Sequence, residues 1–453
     1  MFASTKYEMN KPFSDLSIKL RVNNLMWIFD SLLVLLNVST YCSVVPYIIF
    51  HQYSRVPNIL FIIIINVAFL LFRFQKIAKI PSDSLFFIYV CVCLSNVLAV
   101  LTNEGWNLLA FSYFILNTSF YLLLYNLYEE YLKSESPLHS LWLAIRGYIW
   151  LSFIGVLSAI TMFMLIKCGF NPLKTPIVDE YYDLFKANVE VLGASYYYPY
   201  YISVIQYFDN LIKIPFFTEY GTICGIFHEP HVITFVVFPA LFIICFFEKR
   251  NGVRLVYYIL WILILLMESS TTNIVAFLIS LVVLMTLNKG SRKWLVLFLV
   301  LLAYLIYYIG IENTEMFFVL DKLNGEDGSK DYSMGTIEFA FTPKTLFGSN
   351  FMVNDYLQAN SSAGRRDVGY LSFLFNMIFL ALFMIRVVKL VVFSEKFRLF
   401  GIAALYFLLH SMKIAMVSYT NPLLILMCFI MFVTAKINII SSDEQKFNVY
   451  NTL

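Results

Sequence analysis

Long runs of apolar residues, separated by short polar and charged segments, repeat along the whole chain. A helix needs about 17–25 such residues to cross the hydrocarbon core of a bilayer. The pattern therefore predicts an all-α integral membrane protein with about 12 transmembrane helices. The predicted helices lie near residues 26–50, 57–72, 84–102, 106–128, 141–167, 229–247, 255–268, 273–287, 294–310, 369–392, 399–418 and 421–437.

The overall composition agrees with this pattern. The 453 residues are 60% hydrophobic and only 13% charged, and the mean hydropathy is +0.75. We therefore treat residues 1–453 as a single polytopic membrane domain. The first apolar run, from Leu25 to Phe50, has no small-residue cleavage site, so we interpret it as a retained span rather than a signal peptide.

The distribution of basic residues assigns each connecting segment to one side of the membrane. If the N-terminus is cytoplasmic, every second connection carries lysines or arginines, whereas the short turns opposite carry only Arg55. The positive-inside rule then places both termini in the cytoplasm. The basic residues of the inner segments include Arg73, Lys76, Lys79, Lys249, Arg250, Arg254, Lys289, Arg292, Lys396 and Arg398.

The stretch 255–287 is too long for one span and short for two, at about 50 Å of helix. Basic clusters at both ends place both ends on the inner side, so the chain must turn within Glu268–Asn273. We expect this polar turn to lie near the outer surface, where it could line a cavity.

Two long polar segments, 168–228 and 311–368, fall on the same predicted outer side. The first is rich in tyrosine, and its hydrophobic residues could form short interfacial helices. Its tyrosines either stack on sugar rings or anchor the loop in the membrane interface. Cys168 and Cys224 flank it and could form a disulfide bond in an oxidising compartment.

The signatures of soluble enzymes are absent from the sequence: there is no phosphate-binding Gly-rich loop, GxSxG elbow or HExxH motif. An enzyme on the outer face also has no ATP, so its substrate must carry its own leaving group, as lipid diphosphate sugars do. Arg365 and Arg366, at the end of the second loop, could bind such a diphosphate with bidentate hydrogen bonds. The alternative is that both arginines extend to the membrane interface without binding substrate.

The segment Gly225–His231 precedes the sixth predicted span, and Pro230 suits the first turn of a helix. Glu229, His228 and His231 would then lie near a helix N-terminus, where they could bind an acceptor hydroxyl or take its proton. We expect Glu229 or His228 to orient or deprotonate the acceptor, and His231 to contribute to substrate binding. Alternatively, Glu229 caps the helix and the histidines are ordinary interfacial residues. The HxxH spacing has no evident third ligand, so neither a metal nor another cofactor is expected.

His410 and Lys413 are three residues apart in the eleventh predicted span and share a helix face. An ionisable side chain inside a bilayer is costly unless it faces a cavity or extends to the interface. We therefore regard both residues as candidates for substrate binding.

Three short motifs resemble those of the bacterial O-antigen polymerases and the related O-antigen ligases. The likeness includes their order along the chain and their predicted position on the outer side of the membrane. The first is Gly225-Ile226-Phe227-His228-Glu229-Pro230 and the second is Ser269-Ser270-Thr271-Thr272-Asn273 at the start of a span. The third is Gly348-Ser349-Asn350 followed by Arg365-Arg366-Asp367-Val368-Gly369-Tyr370. The resemblance covers roughly residues 220–392; the first 200 residues match only in hydropathy.

The resemblance implies a GT-C-like membrane glycosyltransferase with two large periplasmic loops in the bacterial inner membrane. Its activity would be polymerisation of undecaprenyl-diphosphate-linked oligosaccharide repeats without a metal. Many family members have an arginine about three residues before the glycine of the first motif, where this chain has Thr222. Lys213 or Lys413 is the candidate for the missing charge.

The implied partners are the lipid-linked oligosaccharide, the bilayer and a chain-length regulator protein, with no nucleic acid. Two other functions stay open. A ligase would transfer finished glycan to a lipid core, and differs only in its acceptor. A lipid-linked-oligosaccharide flippase or other secondary transporter should have short loops on both sides, which the two long outer loops argue against.

Overall fold

The computed structural model describes most of the predicted spans and part of the first loop. The described residues are 13–46, 55–74, 79–102, 108–174, 195–207, 214, 216–268, 271–288, 290, 292, 299–300, 370–410 and 422–450. The second predicted loop, 311–368, lies outside them, and so does most of the predicted helix 294–310.

The described residues are mostly helical. They form α1 (Phe13–Cys42), α2 (Arg55–Arg73), α3 (Ser84–Thr102), α4 (Leu108–Leu132), α5 (Pro137–Lys167), α6 (Pro230–Phe247), α7 (Asn251–Glu268), α8 (Thr271–Leu287), α9 (Tyr370–Val388), α10 (Arg398–His410) and α11 (Pro422–Tyr450). A short π-helical turn, Lys389–Phe393, continues α9. The stretch 255–287 thus contains two helices, as the charge pattern predicted.

Five segments in the described ranges are long and apolar enough to cross a membrane: Val56–Arg73, Pro137–Lys167, Pro230–Phe247, Asn251–Glu268 and Leu374–Phe393. Five shorter apolar helices accompany them. Large apolar side chains such as Ile64, Leu71 and Leu255 are exposed on the outside of these helices. Such side chains are stable on the outside of a helical bundle when lipid surrounds them. The chain is therefore a membrane-spanning helical protein.

The first predicted span is interrupted near its C-terminal end. The span was expected to continue to Phe50, whereas α1 ends at Cys42, where the backbone pairs with a distant segment, and residues 47–50 lie outside the described residues. Ser43 forms an isolated antiparallel bridge with Phe227, and the Val44 amide donates to the Ile226 carbonyl at 2.9 Å. The end of α1 is therefore fixed by the segment that precedes α6.

The described part of the first loop forms a small antiparallel sheet, whereas the sequence indicated that short interfacial helices could form there. The described chain as a whole remains mostly helical, as an all-α membrane protein requires. Its strands are β1 (Ser195–Tyr197), β2 (Val204–Tyr207) and β3 (Thr222–Gly225), in the order β1-β2-β3. The segments are rich in aromatic and β-branched residues, which favour strands. The only helical pieces of the described loop are two three-residue turns of 3-10 helix, Pro172–Lys174 and Pro199–Tyr201.

The sheet packs against α5 at one end of the bundle, which we call the sheet end. The two backbones approach so closely that a Cβ on Gly225 would lie 2.8 Å from the Gly155 carbonyl oxygen. Cys168 and Cys224 are both free, so the disulfide considered from the sequence is absent. The exposed Cys168 follows α5, whereas the Cys224 thiol is buried in β3.

The opposite end, which we call the basic end, contains charged groups that join several helices. Arg73 contacts Asp30 of α1 and Glu130 of α4. Glu129 pairs with Lys79 at 2.9 Å and with Lys436 of α11 at 3.1 Å. These ion pairs fix the helix ends on the side that the positive-inside rule predicts to be cytoplasmic.

Candidate functional site

The candidate site begins where β3 leaves the sheet. Gly225 has a φ of +61° and lies against the backbone of α5, so a side chain at this position would be both strained and obstructed. The next residues, Ile226 to His228, are buried, and Pro230 starts α6. The sheet and the helix thus fix the position of the residues between them.

Glu229 occupies the N-cap position of α6 but does not cap the helix with its side chain. Its backbone is extended, and its carboxylate makes no hydrogen bond to the amides of the first turn. Instead, Oε2 lies 2.9 Å from Nε2 of His231, and both side chains are about four-fifths buried, at 22% and 19% exposure. The capping alternative for Glu229 is therefore wrong.

This contact determines where the proton of His231 lies. A carboxylate oxygen accepts, so Nε2 of His231 must carry hydrogen, and in the neutral ring Nδ1 then holds the lone pair. A carboxylate that orients an imidazole in this way also stabilises the imidazolium that forms when Nδ1 takes a proton. The pair therefore has the chemistry of a general base.

His410, the last residue of α10, reaches the same place from another part of the chain. It is fully buried, and its Nε2 lies 3.0 Å from the carbonyl oxygen of His231. Its ring lies 4.7 Å from the ring of Phe235 and 6.3 Å from that of His231. The structure thus brings together His410 and His231, which the sequence placed in separate predicted spans.

A second carboxylate, Glu268 at the end of α7, also belongs to this region. It is buried and accepts a hydrogen bond of 2.7 Å from the Asn273 amide. Burial raises the pKa of the Cys224 thiol well above its usual range, and the negative charges of Glu268 and Glu229 raise it further. Both carboxylates are therefore close enough to Cys224 to act on it electrostatically.

Sequence reasoning assigned Glu268 only to a polar turn and missed it as a site residue. The sequence feature that identifies Glu268 as a candidate is its position: this acidic residue ends an apolar run and precedes serines, threonines and an asparagine. A carboxylate at such a position is costly unless it faces polar groups, and for this reason Glu268 qualifies as a site residue.

Of the remaining predicted site residues, one is buried and the others lie outside the described part of the chain. His228 is buried beside the bridge between Ser43 and Phe227. Arg365, Arg366 and Lys413 lie outside the described residues, and so does Lys213. Within the part of the chain that the structure describes, no three His, Cys, Asp or Glu side chains are grouped so that they could hold a metal ion.

The described groups of the site are thus two carboxylates, three histidines and an amide at the sheet end of an apolar bundle. They can bind hydroxyl groups and move a proton. Neither a family model, nor a curated protein, nor a solved structure matches this chain.

Proposed function

We propose that this protein is a membrane glycosyltransferase that polymerises undecaprenyl-diphosphate-linked oligosaccharide repeats on the periplasmic face of the inner membrane. The observation that carries the proposal is the Glu229–His231 pair at 2.9 Å, next to buried His410, at the sheet end. An acid–base pair at the edge of an apolar bundle suits a substrate that joins a lipid anchor to a hydroxyl-rich glycan.

The pair suggests how the acceptor is activated. We assign His231 as the base, with Glu229 holding its tautomer and stabilising the charged ring. The acceptor hydroxyl oxygen forms a bond to the anomeric carbon of the donor sugar, while its proton passes to Nδ1 of His231. The bond between that carbon and the diphosphate oxygen breaks, and the lipid diphosphate leaves with the electron pair.

The leaving diphosphate needs cations, and we assign this role to Arg365 and Arg366 with help from Lys413. Guanidinium groups form charge-assisted, bidentate hydrogen bonds to phosphate oxygens. The resemblance to O-antigen polymerases supports this assignment, because the motif that contains both arginines follows the segment Gly348–Asn350 in the same order. His228 and His410 would contact the acceptor from the buried side.

We also propose the complete architecture: about 12 spans, a GT-C-like arrangement and both termini in the cytoplasm. The basic end supports this orientation, since Arg73, Lys79 and Lys436 lie together there. The sheet end would then face the periplasm, on the same side as residues 311–368.

The test is a reaction in proteoliposomes supplied with a synthetic undecaprenyl-diphosphate-linked repeat unit. Wild type should yield a ladder of polymers, and Glu229→Gln should lower the rate by about 10²–10⁴-fold, the usual contribution of general acid–base catalysis. Glu135→Gln is the matched control: Glu135 also lies next to a histidine, His139 at 3.9 Å, but at the basic end and exposed.

Three outcomes would contradict the proposal. Product that forms only after addition of a lipid-core acceptor would indicate a ligase. Movement of the intact lipid across the bilayer without a new covalent product would indicate a transporter. Equal rates for wild type and Glu229→Gln would show that the Glu229–His231 pair takes no part in the reaction.

A further inference from the structure

A short turn in the first loop presents an apolar side chain outward. Its backbone is closed by hydrogen bonds from the Phe217 and Thr218 amides to the Ile214 carbonyl, both at 3.1 Å. The Ile214 amide in turn donates to Oγ1 of Thr218 at 2.7 Å. The turn comprises Ile214 and residues 216–221 and leads directly into β3, and the candidate site begins where β3 ends.

Phe216 has an unusual conformation at the tip of this turn. Its φ is +72°, a left-handed value that glycine adopts without strain and a bulky residue does not. The side chain is also 62% exposed, although it is large and apolar. A strained backbone of this kind persists only where surrounding contacts stabilise it.

The ring of Phe216 extends an aromatic cluster on the C-terminal half of α5. It lies 5.6 Å from the ring of Phe163 and 5.3 Å from that of Phe217. Phe217 stacks on Phe163 at 5.6 Å with an interplanar angle of 11°. The turn is therefore docked on the side of α5, at the height of Phe163.

An exposed stripe of α5 reaches the same height. Ile154, Leu157, Thr161 and Met164 recur at intervals of three and four residues, and all four are exposed. This stripe is the lipid-facing side of the helix. From Pro137 to Met164 the helix is about 42 Å long, which matches a bilayer with its headgroup regions.

Charged groups mark the boundary just above the turn. The Lys167 ammonium lies 4.2 Å from the centre of the Phe216 ring and 3.1 Å from Oε2 of Glu219. Glu219 is exposed and belongs to the same turn. One side of the turn is thus apolar and lies at the height of the lipid-facing stripe, and the other side is charged.

We infer that the Phe216 turn is a membrane anchor: Phe216 inserts into the interface of the bilayer, and Lys167 and Glu219 remain at the headgroups. Lipid is the partner because the exposed ring packs on Phe163 of α5, at the height where the lipid-facing stripe of that helix ends at Met164. The anchor holds the first loop to the bilayer surface and thereby fixes the depth of β3 and Gly225–His231 relative to the bilayer. The inference does not depend on the proposed glycosyl transfer.

The test measures depth with a spin label in reconstituted protein whose native cysteines are replaced. Labels are placed at Phe216→Cys, Glu219→Cys and Met164→Cys in separate proteins. Each label is exposed to oxygen, which concentrates in lipid, and to a water-soluble nickel chelate. The label at position 216 should resemble the one at 164, with high oxygen and low nickel accessibility, whereas the label at 219 should show the reverse.

Glu219 is the matched control because it lies three residues away in the same turn, so a misfolded turn would alter both positions. If labels at 216 and 219 both collide with nickel while 164 does not, the turn lies in water and the inference is overturned. If the label at 216 is shielded from both reagents, another segment or a second copy covers Phe216, which overturns it equally. Retained size-exclusion behaviour of each labelled protein establishes that it is folded.

Discussion

The Nε2 atom of His410 lies 3.0 Å from the carbonyl oxygen of His231, although 179 residues separate the two in sequence. A carbonyl only accepts, so His410 donates and its ring is held as the Nε2–H tautomer or as the cation. The contact joins the end of α10 to the first turn of α6, next to Glu229.

His410→Phe should destabilise the protein by about 1 kcal/mol, the usual net value of a buried hydrogen bond, whereas His410→Gln should retain more stability because it keeps a donor. Thermal unfolding in detergent is the measurement. Equal midpoints for the two variants would show that the contact with the His231 carbonyl contributes nothing to stability.

Arg365→Ala or Arg366→Ala should abolish long polymer without lowering the amount of protein in the membrane. Loss of one electrostatic donor to a charge that develops in the reaction typically costs about 10²–10³ in rate. Lysine should rescue poorly because it lacks the planar fork of arginine. Glycan ladder length is compared with membrane protein level, and normal ladders from both alanine variants would exclude the pair from the site.

The sidedness can be measured with reporter fusions along the chain. Fusions at residues 190 and 340 should report the outer side, and fusions at 76, 251, 291 and 396 the inner side, because the basic residues surround the latter positions. An inner signal at 340 would separate the two loops and remove Arg365 and Arg366 from the site at the sheet end.

Ser270→Cys should in addition react with a small impermeant thiol reagent from the outer side.

Gly147→Ala should be strongly destabilising. A Cβ at this position of α5 would collide with the Ser31 carbonyl oxygen and lie 2.8 Å from the Leu35 amide nitrogen of α1, and backbone atoms cannot move aside as a side chain can. Gly252→Ala is the control, since nothing lies within 4 Å of its Cβ. Folded yield and thermal midpoint are the measurements, and equal values would mean that α1 and α5 can separate without cost.

Acid should weaken the basic end through Glu129. Burial by itself raises the pKa of this carboxyl, but the hydrogen bonds and charges of Lys79 and Lys436 outweigh it, and the pKa is lowered. A lowered pKa in the folded state gives stability that is present above the unfolded pKa of about 4.3 and is lost as the pH falls through that value toward the folded one.

The measurement is the thermal midpoint between pH 7 and pH 4 for wild type, Glu129→Gln and Glu395→Gln. Glu129→Gln should lose part of the decrease at low pH, whereas the exposed Glu395 at the same end should not matter. An unchanged acid profile in Glu129→Gln would assign the decrease to other groups.

Local patterns in the sequence are sufficient to locate most of the helices. The predicted span 84–102 coincides with α3, and the start of α6 at Pro230 was expected one residue earlier. Both follow from local physics: a bilayer sets the length of an apolar run, and proline is stable in the first turn of a helix. The same reasoning divided 255–287 into two helices, because charge on both flanks is a property of sequence alone.

The sheet and the composition of the site depend instead on contacts between distant parts of the chain. The strands β1 to β3 have three or four residues each, too short for a periodic pattern to distinguish them from helix. Glu268 and His410 approach the Gly225–His231 segment from α7 and α10, and this depends on how whole helices pack. Such contacts between distant parts of the chain leave no local pattern in the sequence, because they depend on residues that become neighbours only when the helices pack.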